Sequence, residues 1–319
     1  MKFVISILAA LPIVFSAVTH AQSYPNKPIR VVVPYAPAGN VDIVARIINI
    51  KLEAELGQSV VTENLAGGAG VIGTQTAQRS APDGYRLLAS SSAHVITPNF
   101  QKAVPYDPVK DFVPISQITA MPMVMMISSE LPAKNYAEFL KWAKSLKEPM
   151  NYGGQRGTAG NFSGEMWSEA TGIPVVQIPY KAGTGAAMDL AGGRVPMTFD
   201  AVAAAASHVK SGKIRVVAIT GPVRSPMLPD VPTFAELGVS NMDIQTWHGY
   251  WAPKGTPQDV IDKLGAAMVK ISQMPEVREQ IQAVGATVVG STPKAFAAFT
   301  QAESERWAAR TKQFNIQAN

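Results

Sequence analysis

The sequence predicts an α/β fold with two lobes, in which helices cover both faces of parallel-dominated sheets. Short apolar runs alternate with longer amphipathic segments, and this alternation occurs in two successive sets before a mainly helical tail. Strands that alternate with helices form parallel sheets covered on both faces. A chain of 319 residues with 47% hydrophobic residues can build two such units, and a cleft between lobes is the expected ligand site.

The N-terminus is predicted to be a secretory signal peptide covering residues 1–21. Lys2 gives the positive start, residues 3–18 give the apolar stretch, and residues 19–21 end on a small residue that suits cleavage. A membrane anchor is the alternative, but the apolar run is short and contains Pro12, whereas a spanning helix needs about 20 apolar residues. We therefore expect an exported, soluble mature protein.

The first β/α set starts directly after this segment. The residues "IRVVVPY" at 29–35 are typical of a strand that is buried on both faces. Residues 41–56 place their apolar side chains on one helical stripe, and Gly57 is suited to end that helix. Two more strands are predicted at 59–64 and 85–92.

A second β/α set follows, and the chain is expected to cross between the lobes near 119–128 and 242–252. We therefore assign residues 22–122 and 248–319 to the first lobe and residues 123–247 to the second. Strands of the second set are predicted at 123–129, 175–180, 195–201 and 214–221. The remaining C-terminal part is mainly helical, with one short strand "TVVG".

Three glycine-containing loops join a strand to a following helix, at 34–42, 152–161 and 179–185. The first N–H groups of a helix lack intrahelical partners, and together with the helix dipole they attract anions. A single loop of this kind is more often an ordinary turn. Loops at equivalent positions in two lobes favour a ligand site, because ligands bind at the carboxyl ends of the strands in such sheets.

Several side chains in and near these loops have two interpretations. Asp42 is expected to shape its loop, because its charge would repel an anion, and Asn40 is a candidate N-cap. Arg156 is either a solvated surface residue or a partner for a ligand carboxylate, and Lys181 is a weaker candidate of the same kind. Trp247 is the one aromatic residue of "TWHGYW" that we expect at the cleft.

The stretch "GGAGVIG" at 67–73 has the G-x-G-x-x-G spacing of a dinucleotide-binding loop. It follows the second strand of its lobe, and the acidic residue expected about 20 positions further on is missing. We therefore expect these glycines to make a tight turn on the rim of the cleft and to let the next helix pack closely against the sheet.

Composition and motifs argue against catalysis, metal binding and nucleic-acid binding. The chain has no cysteine, and its four histidines show no metal-ligand spacing. It carries neither a G-x-S-x-G nucleophile motif nor a P-loop. The net charge of +5 comes from scattered basic residues, which fits an anionic small molecule better than nucleic acid. We expect no cofactor, no metal and no enzymatic activity.

Longer segments of the chain resemble one known family. They include "KPIRVVVPYAPAGNVDIVARIINIKLEAELGQSVVTEN", "VPYDPVKDFVPIS", "GTAGNFSGE", "QIPYKAGTGAAMDLAGGRVPMTFD" and "RSPMLPDVPTFAELG". Over essentially its whole mature length, the chain is similar to the Bug proteins, the solute-binding receptors of tripartite tricarboxylate transporters. The resemblance implies a periplasmic binding protein with a two-lobed, type II-like fold that closes on a carboxylate in the interlobe cleft.

The resemblance also implies that two facing loops hold the ligand, mainly through backbone N–H groups and ordered waters. Transferred by position, the ligand-binding residues are Tyr35, Ala38, Gly39, Asn40, Val41, Asp42, Ser91, Gly154, Gln155, Arg156, Gly157, Thr158, Ala159, Asn161, Lys181, Thr184, Asp200 and Trp247. The family's first loop usually reads P-G-G-[ST]-x-D, whereas this chain has Pro37-Ala38-Gly39-Asn40-Val41-Asp42. Gln155 and Arg156 stand where the second loop is commonly rich in serine and glycine. These departures suggest an altered ligand, and an aromatic carboxylate is compatible with the aromatic residues nearby.

The function implied is a periplasmic receptor that captures a di- or tricarboxylate or an aromatic carboxylate. It would deliver this ligand to the integral membrane permease subunits of a tripartite tricarboxylate transporter. The alternative is a sensor of the same fold that signals carboxylate availability to a membrane partner. An exported nucleotide-linked enzyme has only the glycine spacing at 67–73 in its favour. We expect a monomer.

Overall fold

The structure of the protein is a computed structural model, and it describes residues 24–101, 104–180, 183–209 and 211–314. The predicted signal peptide (1–21) and Lys181 lie outside the described residues. Within these ranges the chain forms two α/β lobes that share one long strand. No helix in this part of the chain has the length and apolar character needed to cross a membrane.

The first lobe starts with three β/α units, β1 (Ile29–Val33) with α1 (Asn40–Leu56), β2 (Val60–Asn64) with α2 (Val71–Gln78), and β3 (Arg86–Ser91) with α3 (Ala93–Phe100). The strands lie in the order β2, β1, β3, and both pairings are parallel. Each helix returns the chain to the same end of the sheet, which makes parallel pairing possible. Gly57 ends α1 in the left-handed conformation, as the sequence predicts.

The second lobe contains α4 (Tyr136–Lys144), β5 (Met150–Gly154), α5 (Ala159–Thr171), β6 (Val175–Pro179), α6 (Gly183–Ala191), β7 (Met197–Ala201), α7 (Val202–Val209) and β8 (Ile214–Ile219). The central strand β5 pairs in parallel with β6 and β7. The order β6, β5, β7 therefore repeats the order β2, β1, β3 of the first lobe. As a consequence, the loop after β1 corresponds to the loop after β5, and the loop after β2 corresponds to the loop after β6.

One long strand, β4 (Phe112–Ser128), connects the lobes, and the chain returns to the first lobe at the start of β9 (Gln245–Pro253). β4 pairs with β9 as far as Pro122, and from Met123 onwards it pairs with β7 and β8 instead. The strand therefore crosses between the lobes at this point, which we call the crossing. The chain joins the first sheet again at Gln245, whereas we expected its return at 248. From these pairings we propose lobe boundaries at 122/123 and 244/245.

The C-terminal part returns to the first lobe as α8 (Gln258–Ser272), α9 (Pro275–Ala283), β10 (Thr287–Val288) and α10 (Pro293–Gln313). β10 pairs antiparallel with β4. The prediction of an α/β fold with two lobes is confirmed. The β/α units pair in parallel as predicted, and β4, β9 and β10 add antiparallel pairings, so both sheets are mixed.

Candidate functional site

The candidate site lies where strands of both lobes end. Ser91 at the end of β3 pairs with His248 of β9, and Ala201 at the end of β7 pairs with Met123 of β4. These pairs lie within a few residues of the crossing. β1 and β5 belong to the same parallel sets as β3 and β7, so the loops that follow them also emerge at these strand ends.

The first loop (residues 34–42) is held by one buried carboxylate, that of Asp42. Its Oδ2 accepts hydrogen bonds from the backbone N of Ala38 and from Arg46 Nε, both at 2.9 Å. Its Oδ1 accepts a hydrogen bond from Asn64 Nδ2 at 2.8 Å. Ala38 adopts a φ of 63°, a left-handed conformation that is unfavourable for alanine. Asp42 therefore fixes the shape of the loop, as its sequence position indicates.

The charge of Asp42 is balanced locally. Burial alone would raise the pKa of Asp42, but the hydrogen bonds from Arg46, Asn64 and the Ala38 N–H outweigh it and hold the pKa below its usual value. Arg46 lies one turn further along α1 and forms the ion pair at 2.9 Å. The first loop therefore rests on an ion pair, and its negative charge is compensated.

The N-cap of α1 is Gly39, so the expectation that Asn40 caps the helix was wrong. Gly39 has extended backbone angles and its C=O accepts a hydrogen bond from the Ile43 N–H at 2.9 Å, which defines the cap position. Asn40 is the first residue of the helix and its side chain is exposed. Gly39 has no side chain that could cap the helix. The Asp42 carboxylate instead accepts a hydrogen bond from the Ala38 N–H.

The second loop, predicted at residues 152–161, is shorter in the structure because β5 runs to Gly154, and residues 154–161 repeat this geometry with a neutral side chain. Gly157 has a φ of 68° and Thr158 is the N-cap, whose Oγ1 accepts a hydrogen bond from the Asn161 N–H at 3.4 Å. Asn161, only 1% exposed, accepts a hydrogen bond on Oδ1 from the Gly157 N–H at 3.0 Å. Asn161 therefore holds Gly157 as Asp42 holds Ala38.

Two residues beneath the second loop orient Asn161, and sequence reasoning missed both. Asn161 Nδ2 donates to the Tyr152 hydroxyl at 2.7 Å, and this hydroxyl donates to Glu165 Oε1 at 2.7 Å. Burial raises the pKa of Glu165, although its bond to Tyr152 opposes the rise. A methyl group on Gly164 would lie 2.4 Å from the Tyr152 ring, so this glycine makes room for the tyrosine. The only sequence signal was the helical spacing of 161, 164 and 165.

The two loops present backbone N–H groups at the starts of α1 and α5. The first-turn N–H groups of a helix have no acceptor four residues earlier, and apart from that of Asn161, which donates to Thr158 Oγ1, they can serve an anion. Arg156 is exposed on the second loop, where its charge adds to the positive end of the α5 dipole. The described residues contain no group of histidine and acidic side chains that could hold a metal ion. The chemistry of both loops therefore suits an organic anion.

Other predicted residues lie at neighbouring strand ends. The Tyr35 hydroxyl lies 3.2 Å from Ser91 Oγ and 3.3 Å from Ser90 Oγ, and burial raises the pKa of Tyr35. Asp200, near the end of β7, accepts a hydrogen bond on Oδ1 from the Ala201 N–H at 2.7 Å, and burial raises its pKa. Thr184 belongs to α6.

Trp247 does not lie at the cleft as we expected. Its side chain is 1% exposed, and its indole Nε1 donates to Glu303 Oε2 of α10 at 3.0 Å. The ring packs edge-on against Phe296 and Phe299 of the same helix. Trp247 is therefore a core residue, and its buried acceptor explains why a polar indole fits there.

The "GGAGVIG" stretch forms the expected turn. Residues 67–70 all have positive φ, and α2 starts at Val71. A methyl group on Gly73 would lie 2.6 Å from the Leu65 carbonyl oxygen and 2.7 Å from Pro34 Cα, so this glycine permits the close contact between α2 and the sheet. The turn follows β2, and a methyl group on Gly70 would lie 3.2 Å from the Tyr35 ring, so the turn lies beside the first loop.

Preformed surface hollows occur away from the two loops. One of about 460 Å³ is lined by residues 220–222, 234–235 and 238–243, and one of about 300 Å³ lies between Pro122, Gln245 and Thr287. Residues of the two loops line neither of them.

Comparison with known proteins adds an independent observation. The family model for the tripartite tricarboxylate transporter family receptor matches residues 44–316. The chain is 34% identical to protein BugT of Bordetella pertussis (strain Tohama I) over 296 residues, which cover 92% of this chain and 91% of BugT.

Three solved structures share the fold over nearly the whole chain. The periplasmic binding protein BugD is 33% identical, with a TM-score of 0.79 and coverage of 93% of this chain and 100% of that one. Rpa4515 of R. palustris with adipate is 28% identical, with a TM-score of 0.82 and coverage of 93% and 100%. MatC (Rpa3494) from Rhodopseudomonas palustris with bound malate is 28% identical, with a TM-score of 0.77 and coverage of 90% and 99%.

Proposed function

Because the chain belongs to the tripartite tricarboxylate transporter receptor family, as its motifs indicated, we propose that it captures a small organic carboxylate between its lobes in the periplasm. The family is one of binding receptors and not of enzymes. Solved relatives carry adipate and malate, which supports a dicarboxylate. Export to the periplasm is supported by the signal peptide predicted at residues 1–21.

The observation that carries the proposal is the matched design of the two loops. Each follows the central strand of its lobe, and each starts a helix whose first N–H groups have no acceptor four residues earlier. A dicarboxylate has an anionic group at either end, so two helix starts on opposite lobes can each hold one. The ion pair between Asp42 and Arg46 keeps the first loop from repelling such a ligand.

Delivery to a membrane permease follows from lobe closure. When the lobes close on the ligand, surfaces from both come together in an arrangement that the open protein does not present. The permease subunits of a tripartite tricarboxylate transporter would recognise this arrangement, and the receptor would act as a monomer. Uptake of the bound acid in a deletion strain tests this step: lost uptake supports transport, whereas intact uptake with altered gene expression supports the sensor alternative.

Titration of the mature protein tests binding itself. Adipate, malate, succinate, citrate and benzoate should be compared by calorimetry and thermal unfolding. At least one acid should give saturable 1:1 heat and a higher Tm, because a ligand that binds only the folded state stabilises it by about 2.7 kcal/mol at a hundredfold excess over Kd. Native mass spectrometry of protein taken from its own periplasm extends the search to acids outside this panel.

A matched pair of variants locates the binding. Asn161→Asp places a charge beneath the second loop, whereas Asn135→Asp changes an asparagine that caps α4 elsewhere in the same lobe. Carboxylate binding should weaken in the first variant and stay unchanged in the second. The proposal fails if no acid binds the wild-type protein in any of these experiments, or if both variants bind equally well.

A further inference from the structure

The C-terminal helix α10 contacts both lobes. Its first half is seated on the first lobe, where the Phe296 ring lies 4.9 Å from that of Trp251. A methyl group on Gly249 would lie 2.2 Å from Phe296, so the ring rests directly on the backbone of β9. The second half reaches the second lobe, where the Trp307 ring lies 4.7 Å from that of Phe162 in α5.

Exposed polar contacts continue this connection at the end of the helix. Arg310 Nη1 lies 3.3 Å from Glu169 Oε2, and Gln313 Nε2 donates to the other oxygen of the same carboxylate. Glu169 belongs to α5, so both contacts join the lobes. An exposed ion pair contributes only about 0–1 kcal/mol, so these contacts reinforce the aromatic contact and do not replace it.

A buried carboxylate in the middle of α10 ties the helix to β9. Glu303 Oε2 accepts hydrogen bonds from Trp247 Nε1 at 3.0 Å and from Trp307 Nε1 at 2.9 Å. Its Oε1 pairs with Arg306 Nη1 at 2.9 Å. Arg306 in turn donates through Nη2 to the carbonyl oxygen of Asp243, just before β9, at 2.6 Å. The Glu303 side chain therefore joins Trp247 of β9 to Trp307, the residue that packs against α5.

These contacts also lead to the candidate ligand site. Phe162 follows Asn161 directly in the first turn of α5, so Trp307 packs against the turn that carries the second loop. The chain of contacts runs from the second loop through Phe162, Trp307 and Glu303 to Trp247 of β9. We infer that α10 is a strap that sets the resting interlobe angle of the ligand-free protein and couples the second loop to the strand β9.

The mechanical argument is independent of any ligand. A helix of 21 residues is about 30 Å long and close to rigid, so it cannot follow two lobes that rotate relative to each other. Rotation about the crossing must therefore strain or break its contacts with one lobe. The resting angle should be narrowly distributed as long as both sets of contacts are intact.

Distance measurements on the ligand-free protein test this strap. The chain has no cysteine, so Ile50→Cys in α1 and Met188→Cys in α6 introduce two unique sites for spin labels, and both residues are well exposed (68% and 72%). Pulsed electron paramagnetic resonance should give one narrow distance distribution between the labels. In the Trp307→Phe variant the distribution should broaden and its centre should shift, since the indole N–H that binds Glu303 is lost.

Two further variants keep the test decisive. The double variant Arg310→Ala with Gln313→Ala alters only the end of the helix, and it should broaden the distribution to a smaller extent even if Trp307→Phe fails to fold. Lys27→Ala is the control, because it breaks an exposed ion pair with Asp83 inside the first lobe. If folded strap variants keep the width and centre of the wild-type distribution, α10 only covers the core and the inference is wrong.

Discussion

The first and second loops follow the same backbone path but hold it with different chemistry. In each, a residue with positive φ precedes the N-cap, and a buried side chain at the third helical position binds the N–H of that residue. The first loop uses the carboxylate of Asp42, and the second uses the amide of Asn161. The shared requirement is an acceptor oxygen at this position, and charge is not part of it.

The choice of aspartate or asparagine determines how much negative charge each loop carries. Asp42 brings a negative charge to the start of α1 and needs Arg46 to balance it. Asn161 brings none, and it is held by the hydroxyl of Tyr152. The second loop should therefore be the more electropositive of the two, and the predictions below test this asymmetry, starting with the largest effect.

Removal of the acceptor should destabilise the protein strongly at either loop. Asn161→Leu leaves the Gly157 N–H without its acceptor and the Tyr152 hydroxyl without a donor, both in a buried setting. We expect the free energy of unfolding to fall by about 2–4 kcal/mol, and a similar loss for Asp42→Leu. Urea denaturation measures both, with Asn135→Ala, an exposed helix cap, as a control that should cost about 1 kcal/mol. Losses no larger than that control would contradict the role assigned to the two acceptors.

Exchange of the two acceptors should shift ligand affinity in opposite directions. Asn161→Asp adds a negative charge at the start of α5, and we expect the Kd for a bound carboxylate to rise about tenfold, within the range of helix-terminus effects. Asp42→Asn removes a charge that is already paired, so Kd should fall by a smaller factor. Calorimetry with the acid that binds the wild-type protein most tightly measures both. A rise in Kd of equal size for the two variants would disprove the asymmetry.

The pH dependence of stability should separate the two networks. The folded pKa of Asp42 is lowered, so its stabilising effect is present above its unfolded pKa of about 3.9 and is lost as pH falls through the folded value. The folded pKa of Glu165 is raised, so the pH dependence is reversed. Its stabilising effect is present below its unfolded pKa and is lost as pH rises through the folded value.

Thermal unfolding from pH 3 to pH 8 measures these contributions. Asp42→Asn should flatten the acid side of the profile, and Glu165→Gln should lose less stability at neutral pH than at acidic pH, where the wild-type carboxyl is protonated. Superimposable profile shapes for wild type and both variants would show that neither carboxyl contributes as described.

The smallest effect concerns the residue with positive φ. Gly157→Ala should cost about 1–2 kcal/mol, because alanine is strained in the left-handed region. Ala38→Gly should relieve a similar strain, but added freedom in the unfolded chain offsets most of it, so we expect a gain below about 1 kcal/mol. Denaturant midpoints measured side by side check the signs, and a stabilising Gly157→Ala would contradict the shared backbone path.

Local patterns predicted most of the fold. The alternation of valine-rich runs with helical stripes indicated β1 and α1, and apolar runs indicated β6, β7 and β8 in the second lobe, whereas β5, with the sequence MNYGG, was not predicted as a strand. The glycine turn at 67–73 was interpreted correctly. The part of β4 before residue 119 was missed, because Ser116 and Gln117 interrupt its apolar pattern. The buried polar residues of β4 have partners far along the chain. Ser116 donates a hydrogen bond to the Ser291 carbonyl oxygen, and Thr119 Oγ1 lies 2.7 Å from His248 Nδ1.

The same limit applies to the candidate site. The succession of strand, glycine-containing loop and helix start indicated both loops, since these features lie within ten residues of each other. The location of Trp247 depends on Glu303, 56 residues away, and no local pattern reveals that partner. The support of Asn161 by Tyr152 and Glu165 likewise requires a strand and a helix to meet, which only the folded chain shows.

The most direct test of the central claim is an amide NMR titration of the mature protein with the carboxylate that binds it most tightly. If the ligand is held by backbone N–H groups of both loops, the largest shift changes should fall in two groups, at residues 38–42 and 157–161. Changes confined to one loop, or centred on the hollow between Pro122, Gln245 and Thr287, would contradict a ligand held between the lobes.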